Sequence, residues 1–73
     1  MKNPTLLKEN ITLDEAEELM DYLYCERIDF ISRYDKDIMG NNSVSWFSNG
    51  EHVAKWTETF KNLMISKDFL ENK

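Results

Sequence analysis

Cysteine is almost missing from this chain. Cys25 is the only one among 73 residues, so no intrachain disulfide can form. A lone thiol also fits a reducing compartment better than an oxidising one. Histidine is equally scarce, and one His with one Cys makes a zinc centre built from this chain alone improbable. There is one proline, Pro4, and there are two glycines, Gly40 and Gly50, so backbone punctuation is sparse. No stretch approaches the roughly 20 apolar residues of a membrane span, and the first residues lack the apolar core of a secretory signal. The expectation is a cytoplasmic protein without a membrane segment.

What is present is acid. The formal charge is −5, and it is unevenly placed. Residues 12–38 hold nine acids (Asp14, Glu15, Glu17, Glu18, Asp21, Glu26, Asp29, Asp35, Asp37) against three bases, Arg27, Arg33 and Lys36. Residues 39–73 balance four acids with four bases. Such a field argues against direct binding of a nucleic-acid backbone, which needs a basic surface. It suits a basic protein partner reached by electrostatic steering.

The periodicity predicts a mainly α chain, a single small helical domain over 1–73. After an irregular arm at 1–11, Thr12-Leu13-Asp14-Glu15 forms a capping box, with Ile11 as the apolar residue before the cap. A step of about 100° per residue then gathers Leu13, Ala16, Met20, Leu23, Tyr24, Arg27, Phe30, Ile31, Tyr34 and Ile38 on one face. One long helix over 12–39, stopped by Gly40, is the resulting expectation. An aromatic connector follows at 40–48, in which Val44-Ser45-Trp46-Phe47 has strand-like residues. Ser48-Asn49-Gly50-Glu51 reads as a second capping box, opening a helix over 49–65 with Val53, Trp56, Phe60, Leu63 and Met64 on its stripe. A short helical turn with Phe69 and Leu70 closes the chain, so that 49–70 is a C-terminal helical segment. The stripe of the first helix outlasts that of the second, which predicts a small bundle completed by dimerisation.

Catalytic chemistry finds little footing. Asp35, Asp37 and Gly40 stand where a calcium loop has its first, third and sixth positions, but Met39 at five and Trp46 at twelve supply no carboxylate. The expectation is no metal and no cofactor. His52 has no orienting partner in its neighbourhood, and Cys25 sits among acids that blunt a thiolate. No catalytic residue is assigned, and no enzymatic activity is expected. Asp14, Glu17, Glu18 and Asp21 share one side of the first helix, opposite the apolar stripe, as a solvated acidic face for docking Lys and Arg of a partner. Arg27 lies inside the stripe, as a long side chain snorkelling from it or as one half of an interface ion pair. Trp46 and Phe47 are neighbours that point to opposite sides of an extended segment, so one of them faces a surface or interface. With Tyr22 and Ile28 on the flanks of the helix, they make the candidate partner or dimer interface.

These readings converge on a non-enzymatic protein–protein interaction module: a small regulator or inhibitor docking on a protein, by an acidic helix offered to a basic, nucleic-acid-binding site. The Lys-, Asn- and Ile-rich composition suits a bacterial or phage accessory protein. The alternative is a structural or assembly subunit forming a homo-oligomer. The expected partners are a protein, basic in character, and a second copy of the chain.

Overall fold

The computed structural model describes residues 1–24 and 29–68. The chain runs β1 (Pro4–Lys8), α1 (Leu13–Tyr24), β2 (Phe30–Lys36), β3 (Asn42–Ser48), β4 (Glu51–Thr57) and β5 (Asn62–Ser66). All five strands form one antiparallel sheet in the order β1-β5-β4-β3-β2. Strands β2 to β5 are a meander of hairpins, and β1 closes the far edge on β5. The helix covers one face of the sheet.

The helix begins where the sequence places it. Thr12 Oγ1 accepts the Glu15 amide at 3.2 Å, and the Thr12 amide donates back to Glu15 Oε1 at 3.3 Å. Both donors would otherwise lack an intrahelical acceptor. Ala16 and Met20 are fully buried against the sheet. Opposite them lie Val44 and Trp46 of β3, Ala54 and Trp56 of β4, and Leu63 and Ile65 of β5, each at most 4% exposed. Ile11 joins this core just before the helix. Its amide donates to the Lys61 carbonyl at 3.0 Å, and its carbonyl accepts the Trp56 indole Nε1–H at 2.8 Å.

The expected helical bundle is overturned: the chain is mainly β. The helix expected over 12–39 is described as Leu13–Tyr24, and Phe30–Lys36, expected to belong to it, is a strand. The apolar stripe therefore had no single helix to lie on. Ile31, Tyr34 and Ile38, its presumed far end, are 58%, 60% and 102% exposed. Gly40, at φ +85°, serves a turn between β2 and β3, in which its amide donates to the Asp37 carbonyl at 3.0 Å. The aromatic connector is β3, and the arm at 1–11 contributes β1.

The helix expected over 49–65 is a hairpin. Asn49 and Gly50, at φ +53° and +79°, are its turn towards β3. Positive φ at both central residues is the requirement of a tight type I′ connection, and Asn-Gly is its preferred pair. Within β4 the pairing steps from Trp46↔Ala54 to Phe47↔His52, leaving Val53 as an extra residue. This β-bulge turns Val53 and Ala54 both inward, 1% and 0% exposed. With the longer helix gone, the argument that surplus helical stripe demands a second helical chain falls as well.

Candidate functional site

Two surfaces carry the exposed chemistry. The first is the outer side of α1. That helix holds Asp14, Glu15, Glu17, Glu18 and Asp21 and no basic residue. At 3.6 residues per turn, Asp14, Glu18 and Asp21 fall on the side opposite Ala16 and Met20, and all three are exposed. Tyr22 stands beside them, 77% exposed. A shallow groove of about 470 Å³ runs below, lined by Lys8, Ile11, Glu15, Glu18, Leu19 and Tyr22. Hydrogen bonds from the Thr12 side chain and backbone hold the Glu15 carboxyl below its ordinary pKa.

Glu17 is half-buried and faces the β2 side of the helix. It accepts the Tyr34 hydroxyl at 2.5 Å, and this donation keeps the Tyr34 phenol above its ordinary pKa. A smaller groove of about 240 Å³ lies there, lined by Glu17, Asp21, Phe30, Ser32, Tyr34 and Trp46. The four acidic candidates are thus on one helix but not in one role: Asp14 and Glu18 face solvent, Asp21 spans the ridge and this groove, and Glu17 is tied to the sheet.

The second surface is the helix-free face of the sheet with its β2 edge. Alternation places Ile31, Arg33 and Asp35 of β2 here, with Phe47 of β3, His52 and Lys55 of β4, Met64 of β5 and Leu6 of β1. Phe47 and His52 are cross-strand neighbours with stacked rings, 5.0 Å apart at 28°. Burial pushes the His52 imidazole below its ordinary pKa, assisted by the N-terminal amino group and Lys55 and opposed by a hydrogen bond to the Ala54 backbone. Its Nε2 is buried without a hydrogen-bond partner. Arg33 and Asp35 form an exposed ion pair at 3.4 Å along one edge of this face.

Of the aromatic pair, Trp46 is taken up by the chain's own core at 2% exposure, while Phe47 is half-buried on the opposite face. Arg27, Ile28 and Cys25 lie outside the described residues, as do Phe69 and Leu70 of the expected tail. His52 lies in β4, not in the helix expected over 49–65, and stacks on Phe47. The presumed calcium positions are spent internally: Asp35 pairs with Arg33, and Asp37 accepts the Asn41 amide at 2.9 Å. Among the described residues no group of three or more His, Cys, Asp or Glu is arranged to hold a metal ion. No helix among them is long and apolar enough to cross a membrane.

The β2 edge is not legible in the sequence, because the helical periodicity of 13–38 runs through 30–36 and masks the strand. The one short-range signal able to expose it was Asn49-Gly50, whose hairpin preference makes a neighbouring strand of Val44–Phe47. No family model matches the chain, and no curated protein and no solved structure matches it either.

Proposed function

We propose that this chain is a non-enzymatic docking module, which presents the outer side of α1 to a basic surface on a protein partner. One observation carries the reading: Asp14, Glu18 and Asp21 form an unbroken anionic ridge, with an exposed aromatic ring at its flank. An Arg of the partner stacks on Tyr22 and pairs with Glu18 one turn earlier, while further Lys or Arg side chains meet Asp14 and Asp21. Ala16 and Met20 anchor the helix on the sheet, so the helix need not fold on association and little ordering entropy opposes it. A regulator acting this way covers a basic site against competing nucleic acid.

Calorimetric titration with an Arg- and Lys-rich helical peptide tests the reading. Asp14→Lys with Glu18→Lys should weaken binding by about tenfold, since two favourable pairs become repulsive. Raising the salt should weaken the wild-type complex in the same direction. Affinity indifferent to both changes would remove the ridge from the interaction.

A further inference from the structure

The two edges of the sheet are built differently. β1 is five residues long, begins at Pro4, and its pairing slips between Leu6 and Lys8. These are devices that discourage a further strand. β2 has seven residues, no proline and an uninterrupted register against β3. Every residue from Ile31 to Lys36 is exposed.

The direction of its backbone groups follows from two hydrogen bonds. The Asp37 amide donates to Asn41 across the hairpin at 3.0 Å, and the Asn49 amide donates to the Asp29 carbonyl at 3.4 Å. In an antiparallel ladder such pairs alternate, so odd-numbered residues of this strand bond to β3. Ser32, Tyr34 and Lys36 therefore turn their amides and carbonyls away from β3, to the outside of the sheet.

We propose that this edge binds a second copy of the chain, antiparallel, with Tyr34 on the twofold axis. Outward residues must face outward residues, which leaves few registers. With Arg33 on the axis two guanidiniums stand opposite each other, and with Asp35 there two carboxylates do. With Ser32 on the axis, Arg33 meets Ile31. With Tyr34 on the axis, Arg33 of each copy stands opposite Asp35 of the other, twice over. Cross-strand charge pairs of opposite sign favour this register, and like pairs disfavour its neighbours. Charges that blunt pairing with unrelated strands thus admit one partner strand.

The helix side of the sheet agrees. In this register Lys36 of the second copy stands opposite Ser32, at the groove lined by Glu17 and Asp21. A twofold axis perpendicular to the sheet puts both helices on the same side, so those carboxylates approach each other across the seam. One lysine from each copy offsets them. The result is a continuous ten-stranded sheet with the two acidic ridges side by side. This inference is independent of what the ridges bind.

Sedimentation of the full chain over a range of concentrations, with circular dichroism to follow folding, tests it. The wild type should show a monomer–dimer equilibrium. Arg33→Asp or Asp35→Arg alone should weaken the dimer by about tenfold, because two attractive pairs become two repulsive ones. The double exchange R33D/D35R should restore it. Lys36→Glu, at the end of β2 and outside the central pairs, should weaken it as well, which provides a second route if a variant at position 33 or 35 folds poorly. A wild type that is monomeric throughout, a dimer unmoved by the single reversals and by Lys36→Glu, or a folded double variant that fails to recover association would each overturn the proposal.

Discussion

The Trp56 indole N–H donates to the Ile11 carbonyl at 2.8 Å in the buried interior, tying β4 to the residue that introduces α1. This bond spans 45 positions of sequence and fixes where the helix enters the sheet. Trp56→Phe keeps a ring in the core but leaves that carbonyl buried without its donor. The expected loss is about 1–3 kcal/mol, read as a lower urea midpoint with an unchanged slope.

The helix cap offers a second, milder probe. Thr12→Ala removes the acceptor of the Glu15 amide and the hydroxyl that donates to Glu15 Oε1 at 2.9 Å. Stability should fall by about 1 kcal/mol, while Thr12→Ser should recover most of it.

The Asn49-Gly50 turn separates hairpin from helix. Gly50 sits at φ +79° with open space where a Cβ would go, so the cost of Gly50→Ala is backbone strain alone. About 1 kcal/mol of destabilisation is expected. In a helix Gly→Ala would stabilise by a similar amount, so the sign of the change in thermal midpoint distinguishes the two structures.

Why the helix reading was attractive is visible in that same segment. The bulge at Val53 breaks the period of two, so the buried positions become Val53, Ala54 and Trp56, a spacing that imitates one helical turn. Phe60, counted into the stripe, lies in the β4–β5 turn at 71% exposure. In the first half, Leu13, Ala16, Met20 and Leu23 lie on a true helical face. Phe30, Ile31 and Tyr34 of β2 and Ile38 of the turn after it continue its phase by coincidence, because residues on a strand edge or in a turn need not alternate in polarity. The Thr12–Glu15 box was legible because it is local. Which residue of Trp46 and Phe47 turns inward was not, because that depends on β4 and α1, distant in sequence. The acidic ridge could be read from composition and phase alone, whereas the β2 edge exists only once the sheet order is known.

His52 predicts a pH dependence. Its folded-state pKa lies below its unfolded value of about 6.5, so the unfolded chain takes up the proton first. The contribution is present above the unfolded value and is lost as pH falls through the folded value. Wild-type stability should therefore decline as acidity rises below about pH 6.5, ahead of carboxylate titration. His52→Gln should flatten that part of the profile, measured as urea midpoints against pH.

The most direct test of the acidic helix as a docking surface is a residue-resolved NMR titration of the full chain with an Arg- and Lys-rich peptide. The same spectra report the strand shifts of Asn42–Ser48, Glu51–Thr57 and Asn62–Ser66 and the helical shifts of Leu13–Tyr24. The account predicts perturbations gathered at Asp14, Glu18, Asp21 and Tyr22, and their disappearance in the Asp14→Lys, Glu18→Lys variant. Perturbations centred instead on Phe47, Lys55 and Met64 of the helix-free face, or none anywhere on the chain, would contradict it.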